Sequence, residues 1–244
     1  MLLAELRANS TKSRVLALLK RSGGSTVDDL TRLLGLAPMT IRQHLTALQR
    51  DGLISAREVR RPTGRPHFVF TLTADGEETF PRRYDVLAEM ILDEIAFLRP
   101  RDLENVDAAG RRRIVLERVA ERTAAGYRDR FDGKALSERV RLLAELLQEE
   151  SGFAEYESTE KGYEVRDYNC VFHKLARSDS EVCHWHLTLM RTLIGADVLH
   201  DRSIWAGAEC CRFLIAADQR TGKEPGRSND ALAVSGKASP RQVN

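Results

Sequence analysis

All four cysteines of the 244-residue chain, Cys170, Cys183, Cys210 and Cys211, lie in one short stretch. Twelve residues separate Cys170 from Cys183, and 27 separate Cys183 from Cys211. Thiolates are the soft ligands that zinc and iron–sulfur clusters select. Four cysteines are too few to staple a chain of this length, and clustered thiols in a reducing compartment point to metal or redox chemistry. The same residues also read as apolar packing, because free cysteine is among the most buried side-chain types. Trp185, Trp205, Phe172 and Phe213 are suited to line a dry pocket around a cluster or a small organic effector, or to be ordinary core. Enzymatic chemistry finds little: there is no Gly-rich phosphate loop, no G-x-S-x-G elbow and no H-E-x-x-H. A cysteine nucleophile next to His184 is a weak signal, because a base adjacent in sequence is not thereby in reach. No enzyme is expected.

The elements that must position these thiols follow Gly152. Phe153 to Tyr156 and Tyr163 to Val165 read as two strands. A loop then leads into a helix from about Ser180 to Ile194, and a hairpin turns near Gly207. Cys170 falls before a short helix, Cys183 near the start of the next, and Cys211 on the returning strand. Helix starts and nearby imidazoles would help keep such thiols ionised. Adjacent strand residues point to opposite faces, so Cys210 and Cys211 are not expected to serve one site. His186 stands three residues after Cys183 and shares its helical face. The tail from 218 to 244 has few apolar residues and is expected to be disordered.

Upstream, Val86, Leu87, Met90, Ile91, Ile95 and Leu98 form an apolar stripe at helical spacing. Residues Arg111 to Arg130 and Ser137 to Glu150 read as two further helices, the second with Ser137 as a possible cap and Gly152 as its stop. These helices either build a dimer interface or pack on their own chain. DNA binding favours a dimer, because two half-sites multiply affinity.

Charge divides along the chain. Net charge is +5 through residue 82 and −3 beyond it, for +2 overall. A basic head on an acidic body suits nucleic-acid binding. Thr11 to Ser22 carries Val15, Leu16, Leu18 and Leu19 at helical spacing and stops at Gly23. Thr26 caps a second helix that carries Asp28 and Asp29 in its first turn and then Leu30, Leu33 and Leu34. Pro38 opens a third, with Ile41, Leu45 and Leu48 on one face and Gly52 as its stop. That face leaves Met39, Thr40, Arg42, Gln43 and His44 pointing the other way, where they can address base edges and phosphates in the major groove. A strand opens at Leu53. A basic turn from Arg57 to Arg65 follows, with Arg60, Arg61 and Arg65 suited to phosphates or the minor groove. Phe68 to Leu72 returns as a second strand.

This order is that of a winged helix-turn-helix, and VDDLTRLLGLAPMTIRQHLTALQRDGLI followed by RRPTGRPHFVFTLTADG resembles the bacterial regulators loosely called ArsR-, DeoR- or MarR-like. The cysteine spacings, with Asn-Cys before the first gap and GAECC at the last, resemble the SufR-type iron–sulfur-responsive repressors of cluster-assembly operons. The resemblance covers most of the chain. It implies a repressor that binds its operator as a homodimer when loaded with a cluster and releases it when the cluster is lost. The family's three shared cysteines fall on Cys170, Cys183 and Cys211. Some members carry a fourth cysteine in the second gap; here Asp197 stands near that place. The fourth ligand is left to His184, His186, His200, Asp197, Glu209, a water or an external thiol, with His186 and Asp197 the named candidates and 4Fe–4S favoured over 2Fe–2S.

The expected fold class is α+β: a winged helix-turn-helix over 1–82, a helical linker and dimerisation region over 83–151, a small α+β cysteine domain over 152–217, and the tail. The expected partner is double-stranded DNA with an inverted-repeat operator, bound by a homodimer. No uncharged apolar run approaches the ~18 residues that span a bilayer, and no secretory signal opens the chain, so a cytoplasmic location is expected. A winged-helix sensor of an organic ligand and a thiol redox sensor without a cluster are the competing readings.

Overall fold

The structure, a computed structural model, describes residues 10–59 and 67–217. The expectations for Arg60, Arg61, Arg65 and the tail from 218 concern residues outside these ranges.

Among the described residues three helices come first: α1 (Thr11–Ser22), α2 (Val27–Leu34) and α3 (Pro38–Arg50). Each starts and stops where its local chemistry dictates. The Ser10 hydroxyl caps α1 by accepting from the Ser13 N–H at 3.2 Å. Thr26 and Asp29 form a reciprocal capping box on α2, which satisfies two backbone donors that a helix start leaves without partners. Pro38 sits in the first turn of α3, where its missing N–H costs nothing. An antiparallel hairpin of β1 (Ile54–Val59) and β2 (His67–Leu72) follows, with Ile54 opposite Leu72 and Val59 opposite His67. β1 thus runs through Arg57 and beyond the start of the turn expected from sequence. A short α4 (Ala74–Glu77) closes the unit. Its core is Val15, Leu16, Leu19, Leu30, Ile41, Leu45, Leu48, Ile54, Phe70 and Phe80. Leu33, read as part of the α2 apolar face, instead stands 57% exposed.

The rest of the chain packs around a second core. Helices α5 (Tyr84–Ile95), α6 (Ala108–Gly126), α7 (Arg128–Phe131) and α8 (Leu136–Ser151) precede a four-stranded antiparallel sheet of β3 (Ala154–Thr159), β4 (Gly162–Asp167), β5 (Val198–Arg202) and β6 (Cys211–Ala216). The strand order is β3-β4-β6-β5. Between β4 and β5 lie α9 (His173–Ser178) and α10 (Glu181–Ile194). Leu143, Leu147, Val165, Trp185, Met190, Val198, Phe213 and Ile215 belong to one buried cluster, so the middle helices and the cysteine-bearing sheet share a core. Gly162 begins β4 at φ 141, and a Cβ there would lie 2.1 Å from the Ile215 carbonyl oxygen, so the approach of β6 requires glycine.

Two helix boundaries depart from expectation. Asp107 caps α6, accepting from the Gly110 N–H at 2.8 Å, so that helix starts earlier than Arg111. Ser137 lies inside α8, whose N-cap is Ala135 without a side-chain cap. In α5 the buried positions are Leu87 and, unexpectedly, Glu94. The Glu94 carboxylate is held by Arg122 at 2.7 Å and Arg118 at 3.7 Å, both on α6. Leu92, Ile95 and Phe97 face outward. Among the described residues no helix is long and apolar enough to cross a membrane.

Candidate nucleic-acid interface and thiol layer

On α3, Ile41, Leu45 and Leu48 are buried, while Met39, Arg42 and Gln43 are exposed and Thr40 and His44 are half-buried. The structure therefore turns the expected reading residues outward as a set on one helix. Its N-terminal half presents a guanidinium, an amide, a hydroxyl and a thioether-bearing chain, a mixture able to address base edges, phosphates and a thymine methyl.

The thiols occupy the second core. Cys211 opens β6 and lies on the same side of the strand as buried Phe213 and Ile215. Cys183 sits in the first turn of α10, and Cys170 precedes α9. All three pack against the same core. They also sense one another: burial pushes Cys183 up to about 12, with Cys170 adding to the rise. Burial likewise holds Cys211 well above the ordinary thiol value, and Cys170 and Cys183 both raise it further. Cys170 is raised by burial too, against a lowering backbone hydrogen bond from Phe172. Cys210 is absent from this group. Burial raises its thiol, and its charged neighbours are Arg166, Arg212, Glu164 and Glu209. The structure thus brings Cys170, Cys183 and Cys211 together and sets Cys210 apart.

The ionising influence expected from helix starts and imidazoles is outweighed by desolvation, which favours neutral thiols. A coordinated metal ion would reverse this, because it deprotonates a ligating thiol outright. Among the described residues no three His, Cys, Asp or Glu side chains are grouped so that they could hold a single metal ion.

Of the candidates for a fourth ligand, His186 lies one helical turn beyond Cys183 on α10. Its Nε2 is buried without a hydrogen-bond partner, as are His200 Nε2 and Trp185 Nε1. Burial holds the His186 imidazole down at about 4, helped by His200. The His200 ring stacks on Phe213 with centroids 4.6 Å apart, and His186 meets the edge of the same ring system at 5.9 Å. This pairing of His186 with His200 carried no sequence signal. His184 is engaged elsewhere, with Nε2 2.7 Å from Glu117 Oε1 on α6. Asp197 is exposed and precedes Val198, which pairs with Ile215, so it stands at the opposite end of β6 from Cys211. Glu209 lies against α1, where a Cβ on Gly23 would meet its Oε1 at 2.8 Å. Phe172, Phe213 and Trp185 are buried near the thiols, whereas Trp205 is 44% exposed.

Residues 9–55 match the family model of winged helix-turn-helix DNA-binding domains. The N-terminal unit is such a domain. Among curated proteins no sequence matches the chain. A solved structure of Bacillus subtilis PadR in complex with operator DNA is similar at 15% identity, over 75% of this chain and 97% of that one, with a TM-score of 0.27.

Proposed function

We propose that this chain is a transcriptional repressor whose DNA-binding domain is controlled by an iron–sulfur cluster held by Cys170, Cys183 and Cys211. The observation that carries this reading is that those three half-buried thiols pack against one core, with Cys210 outside it. The donor set is soft, as iron–sulfur ligation requires. Three buried ring nitrogens without partners border the layer, in keeping with a place built for more than packing, since native cores leave few such atoms. When bound, the cluster supplies redox chemistry and sensitivity to oxidants.

The chain's own residues do the rest. Trp185, Phe172 and Phe213 exclude water from the thiols. His186, neutral and unpartnered, is the better candidate for the fourth position, and Asp197 is too distant to serve. On DNA, Arg42 and Gln43 read base edges while Thr40 and His44 support them. Arg60, Arg61 and Arg65 meet phosphates. The operator is an inverted repeat read by a homodimer, for which the outward Leu92, Ile95 and Phe97 beside α5 supply apolar surface. The genes served are those of cluster assembly.

The test is duplex affinity for protein prepared without oxygen, loaded and after chelator stripping, against a sequence selected from a random pool. Loaded protein should bind about tenfold or more tightly, within the usual range of coupling between sites. Equal affinities in the two states would refute cluster control.

One observation favours a second reading, a sensor of an organic effector. An apolar cavity of about 340 Å³ lies between α5, α6, α9 and α10, lined by Ile91, Ile95, Val115, Leu116, Leu175 and Val182. If iron-free protein changes its operator affinity with an apolar ligand seated there, this reading replaces the first.

A further inference from the structure

The thiol layer does not reach the DNA-binding domain through the middle helices alone. The segment that carries Cys170 is fastened to it directly, at the junction that follows α4. Asn169 is fully buried, and every polar group of its side-chain amide is used. Its Nδ2 donates to the Pro81 carbonyl at 3.1 Å and to the Ser151 carbonyl at 3.2 Å. Its Oδ1 accepts from Arg82 Nη1 at 2.7 Å. The same Nη1 lies 3.4 Å from the carbonyl oxygen of Cys170 itself. One residue further on, the Arg83 N–H donates to the Val171 carbonyl at 3.2 Å.

Arg82 is held from the other side by the DNA-binding domain. Its Nη2 donates to the Glu77 carbonyl, and its guanidinium lies 3.9 Å and 3.7 Å from the Glu77 and Glu78 carboxylates. Glu77 in turn takes an ion pair from Lys20, a buried residue of α1. Lys20 also stands over the Phe80 ring at 5.4 Å, and Phe80 packs edge-on against Phe153 at 5.2 Å. Val15, Leu16 and Leu19 of α1 share a core with Ile41, Leu45 and Leu48 of α3. A continuous run of part-buried contacts therefore leads from the Cys170 backbone through Asn169, Arg82, Glu77 and Lys20 to the helix that backs α3.

We infer that Arg82 and Asn169 are positioning residues that couple the state of the Cys170 thiol to the placement of α3. Cys170 cannot move its backbone to meet a ligand without changing the Asn169–Arg82 contact. Arg82 cannot follow without disturbing Glu77 and Lys20. This deepens the cluster-sensor reading and rests on it for its biological use, yet the coupling is measurable with no metal present. Coupling between two sites is reciprocal in free energy, so DNA on α3 should shift the equilibrium between held and released placements of the Cys170 segment, and with it the fraction of time the thiol is accessible.

The experiment is peptide-resolved alkylation of the reduced, metal-free full chain by iodoacetamide, with and without a bound duplex. Cys183, on α10 with neighbours α6, α7, α8, α9 and β5, is the internal reference. DNA should slow Cys170 alkylation by about fivefold relative to Cys183, a factor at the low end of typical coupling. Arg82→Gln should abolish the DNA-dependent change, measured against its own DNA-free rate ratio, and Arg82→Lys, which can still donate to Asn169 Oδ1, should restore part of it. An unchanged Cys170 rate in wild type, or an equal change in wild type and Arg82→Gln, overturns the inference. A companion measurement needs no DNA: modifying Cys170 should speed amide exchange across residues 74–83 in wild type, and unchanged exchange overturns the coupling even if no duplex binds. Iron content is read separately, so a chain that binds no cluster defeats the functional reading without touching this result.

Discussion

Around α1, α2 and α3 the buried side chains are almost all aliphatic or aromatic; the buried polar residues Lys20, Ser25 and Thr79 find partners in Glu77, Ser22 and the Gly76 carbonyl, while Thr31 Oγ1 and His67 Nδ1, far apart in the sequence, are buried without one. Between α10 and the four-stranded sheet the picture differs. There three half-buried thiols pack against one core, and two imidazole nitrogens and an indole N–H of the same domain are buried with no partner. The first region is packed for stability and turns its chemistry outward along α3. The second keeps its chemistry inside. Leaving a buried polar atom unpaired costs on the order of 1–3 kcal/mol, so a concentration of them marks a place where packing has yielded to some other use.

The sharpest contrast comes from truncating the first core. Leu45→Ala removes a side chain only 1% exposed, behind the reading face of α3. It should cost about 2–5 kcal/mol by urea unfolding and should abolish DNA binding near the unfolding midpoint. A loss below about 1 kcal/mol would mean that this core is not the rigid support described.

On the outward face, Arg42→Ala should cost about 1–3 kcal/mol in operator affinity and relax discrimination at one base position. Competition with single-base variants of a selected duplex checks this. A uniform weakening on every sequence would make Arg42 a phosphate contact instead.

A third contrast concerns pH. Asp167 is buried, and burial pushes its carboxyl from 3.8 up to about 7, against lowering hydrogen bonds from the Asn169 N–H and Ser151 and the charge of Lys20. Glu150 adds to the rise. A carboxyl raised on folding favours the native state most below its unfolded value, and that contribution falls as pH rises from about 4 through about 7. Asp167→Asn should therefore gain stability relative to wild type between about pH 5 and pH 8. An equal difference at both would show that Asp167 is ionised throughout.

The smallest effect falls on the second core. His186→Leu discards a nitrogen with no partner for an apolar group, so metal-free stability should stay within about 1 kcal/mol of wild type, in contrast to Leu45→Ala. A cost of 2 kcal/mol or more would reveal a partner for Nε2 and weaken the contrast between the two regions. Iron content of the same variant shows whether His186 serves as the fourth ligand.

The DNA-binding domain was legible because its signals are local. Thr26 with Asp29, Pro38, Gly23 and Gly52 mark helix ends within a few residues, and the 3.6-residue period of Ile41, Leu45 and Leu48 names the buried face. The strands and α10 were legible for the same reason. Strand alternation was expected to oppose Cys210 to Cys211, but β6 begins at Cys211 and Cys210 stands in the bend before it. What escaped was made by contacts distant in sequence. Nothing around Asn169 announces Arg82, 87 residues away, and nothing near His186 announces His200. Asp197 was placed by position in a gap, and only the β5–β6 register shows which end of the strand it occupies. The ionisation of the thiols was misjudged because helix starts are visible in sequence and depth of burial is not.

The most direct test of the account is iron and sulfide content, with the visible spectrum, for the four single Ser variants purified without oxygen. Serine replaces a soft sulfur ligand with a hard, reluctant hydroxyl. Cluster content should collapse in Cys170→Ser, Cys183→Ser and Cys211→Ser, while Cys210→Ser keeps the wild-type spectrum. Wild-type content in Cys170→Ser, or loss confined to Cys210→Ser, would contradict the account.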